Sequence, residues 1–195
     1  MDVTSIFSAF GLSASAGLNA YIPLLVVSLL AKFTNLINLE EPWSGLESWW
    51  IIGLLLVLSL VEFFADKVPA VNHINDIIQT IIRPVAGAIV FAASANSVTD
   101  VHPVLALAAG LLISGSVHVA KAGALRPAVT ATTGGTGNTV VSMAEDALST
   151  ILSIISVLIP IVVGLLLVLL VAWFIWWFWR RTNRQMAEEA ERNKQ

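Results

Sequence analysis

Glu62, Asp66, Lys67, His73 and Asp76 crowd into the stretch VEFFADKVPAVNHIND, residues 61–76. They follow WWIIGLLLVLSL, one of the most apolar runs in the chain. Glu62 and Asp66 are four apart and share a helix face. Two carboxylates on one face repel unless Lys67, a cation from another helix, a proton or a bound metal ion neutralises them. That is the chemistry of ion binding or of charge compensation. Ser114, His118 and Lys121 recur at i, i+4 and i+7 on one face. With Arg83 and Arg126 they supply positive charge suited to an anionic group. Glu145 and Asp146 add two more acids. The ordinary reading of Asp76, Glu145 and Asp146 is acidic residues at helix N-termini, where they are favoured. Glu62, Arg83 and His118 have apolar neighbours on both sides, and charge buried in a membrane usually serves function.

A second unusual stretch is TATTGGTGNT, residues 130–139. Its hydroxyls and glycines suit an anion nest or an ion path. The alternative is a flexible external loop. Its flanks, Arg126 and Glu145–Asp146, favour a re-entrant loop with Thr132 and Thr133 pointing into the site. No Walker motif, GxSxG elbow or HExxH is present, and no catalytic residue is assigned. His73, His118 and the acids offer metal ligands without tight spacing, so the metal assignment stays open and no cofactor is expected.

The elements that must position these residues are membrane helices. The chain is 57% hydrophobic and 12% charged, with mean hydropathy +0.85. A soluble domain of 195 residues would carry far more polar surface. The absence of cysteine excludes disulfides and thiolate chemistry. A net charge of −3 points to no nucleic-acid partner. MDVTSIF lacks a basic n-region, so the first apolar stretch is read as a retained helix. About twenty apolar residues cross a bilayer core, and five stretches approach that: 6–31, 49–66, 78–96, 103–121 and 148–178. The expected fold is an all-α polytopic bundle of about five membrane segments, with a discontinuous helix or re-entrant loop. The integral domain covers 1–179, and 180–195 is a charged tail.

In the first segment the small residues around Gly17–Pro23 allow tight packing or, alternatively, a helix break with Asn19 as a polar contact. Pro160 is expected to kink the last segment. Trp173, Trp176, Trp177 and Trp179 form an interfacial belt with Arg180, Arg181 and Arg184 outside it. This basic cluster points to a cytoplasmic C-terminus in a bacterial inner membrane. On this topology nearly all membrane-edge charges fall in one half of the bundle.

GLSASAGLNAYIPLL, then VEFFADKVPAVNHINDIIQTIIRPVAGA, then TATTGGTGN followed by SMAEDALS, resemble the domain-of-unknown-function 4126 family of small bacterial membrane proteins. The resemblance covers about residues 5–175. It implies an integral helical membrane protein and transfers no activity or catalytic residue.

The functional expectation is a small secondary transporter or channel for an ion or small polar or anionic solute. It would act in the lipid bilayer as a homo-oligomer, most simply a dimer. Its site would combine Asn19, Glu62, Asp66, Lys67, Arg83, His118, Lys121, Arg126, Thr132, Thr133, Glu145 and Asp146. The alternatives are a membrane enzyme or carrier acting on a lipid phosphate, and a structural or assembly protein whose charges lock helices together.

Overall fold

The computed structural model describes residues 3–66, 69–96 and 101–192. Among them all regular structure is helical: α1 Val3–Leu18, α2 Tyr21–Phe33, α3 Trp49–Ala65, α4 Pro69–Asn96, α5 Pro103–Ala120, α6 Arg126–Thr133, α7 Gly137–Leu158 and α8 Pro160–Arg192. A π turn, Lys121–Leu125, joins α5 to α6 without interruption. Four helical stretches are long and apolar enough to cross a membrane: Ile77–Ala95, Pro103–Thr133, Gly137–Leu158 and Pro160–Arg181. Three shorter apolar helices, α1, α2 and α3, accompany them. The expected helical membrane bundle is therefore present, with two of its segments divided.

The first division falls at Asn19–Ala20. Asn19 Oδ1 accepts the backbone N–H groups of Tyr21 and Ile22, both at 3.0 Å. The side chain thus caps the first turn of α2. Pro23 sits in that same turn, where its missing N–H removes no intrahelical bond. The second division falls at Ile159, just before Pro160, so the last apolar run is two helices and not one kinked span.

Contacts along the helices fix their directions. Glu62 meets Arg83 and Asp66 meets Asn75, so α3 and α4 run antiparallel. Phe33 at the end of α2 packs edge-on against Trp49 at the start of α3, with centroids 5.8 Å apart. Lys32 Nζ lies 4.7 Å over the same Trp49 ring. Tyr21 at the start of α2 lies close to Gln79. In α1, Phe10 packs on Phe91 at 5.3 Å, whereas Leu18 O accepts from Lys121 Nζ at 3.0 Å. The bundle accordingly has an aromatic end, with Phe10, Phe33, Trp49 and Phe91, and a charged end. Helix α1 runs toward the charged end and α2 returns from it. They form a helical hairpin with its apex at Asn19–Ala20. At 1.5 Å per residue each arm is roughly 20–24 Å long, shorter than the ~30 Å hydrocarbon core.

Small residues bring the helices close. A Cβ on Gly110 would press on the Gly87 carbonyl and lie 2.7 Å from Ala88 Cα, so α4 and α5 touch backbone to backbone. Between α1 and α7, Ser15 Oγ lies 2.8 Å from Ser149 Oγ and 2.7 Å from Ser153 Oγ, all fully buried. Leu12, Ala16, Tyr21, Leu24, Val27, Leu55, Ala86 and Val90 form the largest apolar core. Beyond Leu167 the described side chains of α8 are exposed.

Residues 130–139 are helix, turn and helix, not an irregular loop. Helix α6 continues through Thr133, and α7 begins at Gly137. Gly134 and Gly135 take the intervening turn at φ 62° and 92°, a left-handed conformation that L side chains resist.

Candidate functional site: a buried charge cluster

Each helix contributes to the charged end through regular spacing. Helix α3 supplies Glu62 and, as its C-cap, Asp66. Helix α4 presents Asn75, Gln79 and Arg83 at i, i+4 and i+8 on one face. Helix α5 presents Ser114 and His118, and the π turn adds Lys121. Arg126 opens α6; Ser142, Glu145 and Asp146 come from the first half of α7.

Arg83 Nη2 donates to Glu62 Oε1 at 2.8 Å, with both side chains 1% exposed. Arg83 Nη1 also reaches His118 Nδ1 at 3.4 Å. A guanidinium only donates, so Nδ1 accepts and carries no proton. His118 is then a neutral imidazole whose Nε2–H donates to Thr80 Oγ1 at 3.2 Å. Ser114 Oγ donates to the Arg83 carbonyl at 2.7 Å, tying α5 to α4.

A second group of charges lies alongside. Glu145 Oε2 takes Lys121 Nζ at 2.6 Å and Arg126 Nη2 at 3.3 Å. Arg126 Nη2 lies 3.5 Å from Asp66 Oδ2, which also accepts from Ser142 Oγ at 2.7 Å. Asp66 Oδ1 accepts from Asn75 Nδ2 at 2.8 Å. The π turn explains how two cations reach one carboxylate. In an α-helix residues five apart diverge by about 140°. Here Arg126 N–H donates to the Lys121 carbonyl, the i to i+5 bond of a π turn, which stacks the two residues.

The hairpin apex enters this group. Asn19 Nδ2 donates to Asp146 Oδ1 at 2.9 Å, while Lys121 Nζ donates to Leu18 O at 3.0 Å. An ammonium thus meets the C-terminal carbonyls of α1, the negative end of its dipole. Both sides of the helix break are held by charged residues of other elements.

Of the residues expected to form the site, Asn19, Glu62, Asp66, Arg83, His118, Lys121, Arg126, Glu145 and Asp146 converge. Lys67 and the side chains of His73 and Asp76 lie outside the described residues. Thr132 and Thr133 do not join the cluster. Both are exposed, and their hydroxyls donate back to carbonyls of their own helix, Ala128 O and Val129 O. Their place near Arg126 in sequence does not carry into space because α6 extends past Arg126 and away from the bundle. Glu145 and Asp146 do not open a helix; they lie inside α7, facing the cluster. Among the described residues no group of three His, Asp or Glu side chains is placed to hold a metal ion.

Sequence reasoning missed Asn75, Gln79, Ser142 and Tyr21. The Asn75–Gln79–Arg83 spacing was available as a signal. The Asp66–Ser142 contact spans 76 positions and left none.

Buried atoms of the cluster without a hydrogen-bond partner include Glu62 Oε2, Gln79 Oε1, Arg83 Nε and Glu145 Oε1. A buried polar atom without a partner is costly, so these positions are where a donor or an ion would be accommodated.

No curated protein and no solved structure gives a significant match to the chain. The family model described as Domain of unknown function (DUF4126) matches residues 6–181. That stretch holds all but the first residues of the α1–α2 hairpin and every residue of the cluster, and the chain belongs to the DUF4126 family.

Proposed function

We propose that this protein is a small secondary transporter or channel for an ion or small polar solute, acting in the bacterial cytoplasmic membrane as a homo-oligomer. The observation that carries the reading is the α1–α2 hairpin, whose apex ends among buried charges. A discontinuous helix offers free backbone ends to a solute or ion at depth in the membrane, and transporters build sites this way. Here Lys121 and Asp146 occupy those ends, so a change in either charge acts directly on the hairpin. The hairpin arms are too short to span the core alone, so their apex is read as lying within the membrane.

The test is flux. Purified protein reconstituted in proteoliposomes is loaded with pH- and potential-sensitive dyes and challenged with single-ion gradients and small anions. Ion- or solute-dependent flux in the wild type, lost in Asp146→Asn and Lys121→Gln, is the expected result. A correctly folded wild-type protein that moves nothing across that panel overturns the reading.

A structural role has one specific support: the cations are in direct contact with carboxylates, at 2.6–3.5 Å. On that reading the cluster locks helices together and the flux assay stays silent. The lipid-phosphate reading gains no comparable support, because Arg83, Lys121 and Arg126 are each already engaged by a carboxylate.

A further inference from the structure

Glu62 is an asymmetric carboxylate. Its Oε1 is taken by Arg83, whereas its Oε2 has no donor. Gln79, one turn before Arg83 on the same face of α4, is also 1% exposed, and its Oε1 has no donor either. Tyr21, the first residue of α2, lies within reach of both. Its hydroxyl lies close to the Gln79 carboxamide and within the electrostatic reach of Glu62. Three helices therefore bring carboxylate, carboxamide and phenol oxygens together in a buried place, and two of the oxygens lack a hydrogen. A buried acceptor without a donor costs on the order of 1–3 kcal/mol. A bound cation or a proton on the carboxylate answers that cost, as a donated hydrogen bond would.

Among the described residues the cluster offers no group of three ligands for a divalent ion. Oxygen donors of this type suit a proton or a hard alkali ion and not a soft metal.

We propose that Glu62 Oε2, with Gln79 and Tyr21 beside it, is the seat of one monovalent cation, a proton or an alkali ion. This names the coupling ion of the transport site and rests on that reading for its role, although occupancy itself is testable by binding alone. The charged and titratable groups facing Glu62 are Arg83 from α4, Asp66 from its own helix, Tyr21 from α2 and Lys121 from the π turn. His118 stands behind Arg83, and Glu145 of α7 stands behind Lys121. Because Tyr21 begins α2, filling or emptying the seat acts on the hairpin whose apex also holds Asp146.

The test measures thermal unfolding of the purified protein at constant ionic strength. Choline is replaced stepwise by sodium or potassium at several pH values, and infrared difference spectra report protonated carboxyl groups. For an alkali ion, wild-type Tm rises saturably with one cation, and the rise is lost in Gln79→Leu and in Tyr21→Phe. The latter removes one hydroxyl and keeps the ring, so it guards against a failure to fold. For a proton, Tm is indifferent to both alkali ions. A protonated-carboxyl carbonyl band is present in the wild type, absent in Glu62→Gln and shifted in Tyr21→Phe. A wild-type protein with neither response overturns the seat, whatever the variants do. Flux in proteoliposomes without either response removes the seat and keeps the transport reading. Saturable binding without flux keeps the seat and removes transport.

Discussion

Asn19 serves two partners with one carboxamide: its Oδ1 caps α2 through Tyr21 and Ile22, and its Nδ2 holds Asp146 of α7 at 2.9 Å. The donor and acceptor ends of the side chain are both committed, which makes the residue type testable. Asn19→Ala loses the cap, worth about 1 kcal/mol, together with the Asp146 contact. Asn19→Asp keeps an excellent capping oxygen yet places a second carboxylate against Asp146. The aspartate variant is therefore expected to be less stable than the alanine variant. Thermal unfolding of the two, side by side, decides it; the reverse order would show that Asp146 does not depend on Asn19.

Glu62 and Arg83 are expected to behave as a unit. Removing one partner strands a charge in a buried site and costs on the order of 3–5 kcal/mol. Glu62→Leu or Arg83→Leu alone should lower Tm sharply. The double variant should recover much of the loss, since an apolar pair of similar volume is tolerated where a lone ion is not. A double-mutant cycle in detergent measures the coupling, and additive losses would contradict the pair.

Gly110 marks the closest approach of α4 and α5. The atoms a methyl group would meet include Gly87 O and Ala88 Cα, which are backbone and cannot swing aside. Gly110→Ala is expected to force the helices apart and cost roughly 1–3 kcal/mol. Gly53→Ala and Gly123→Ala meet nothing within 4 Å and should be close to neutral. Equal unfolding temperatures for all three would show that the α4–α5 contact is looser than described.

The Thr/Gly tip between α6 and α7 should be accessible. Single cysteines at Thr132 and Thr136 of this cysteine-free chain should react rapidly with a membrane-impermeant maleimide added to one side, with the fold intact. Gly134→Val, at φ 62°, should cost roughly 1–2 kcal/mol through backbone strain alone. Protection of both cysteines from both sides would restore a folded re-entrant element here.

The helical membrane class was legible because hydropathy is a local property of the chain. So was the convergence of Glu62, Asp66, Arg83, His118, Lys121, Arg126, Glu145 and Asp146, since a charge in an apolar helix has few places to go. The Asn19 break could be weighed from Gly17 and Pro23 but not decided, because small residues serve close packing equally well. The π turn was not legible. Nothing local distinguishes Lys121–Leu125 from α-helix, and its reason lies at Glu145, which both Lys121 and Arg126 must reach. Thr132 and Thr133 misled because hydroxyls next to a glycine turn look like site chemistry. A threonine hydroxyl on a helix also bonds its own preceding turn, and that use won.

The ion pairs also have an order in time. Glu62 meets Arg83 after 21 residues of further synthesis, so α3 and α4 can enter the membrane as a matched pair. Asp66 has no such early partner among the described cations apart from the electrostatic reach of Arg83. Its contact with Arg126, like its bond from Ser142, waits until α6 and α7 have been made. Lys121 and Arg126 in turn wait for Glu145. In chain order the Glu62–Arg83 pair is complete early, Lys121 then reaches Leu18 O, and Asn19 gains Asp146 only with α7. Chains truncated before α7 would lack the carboxylates that meet Lys121, Arg126 and Asn19.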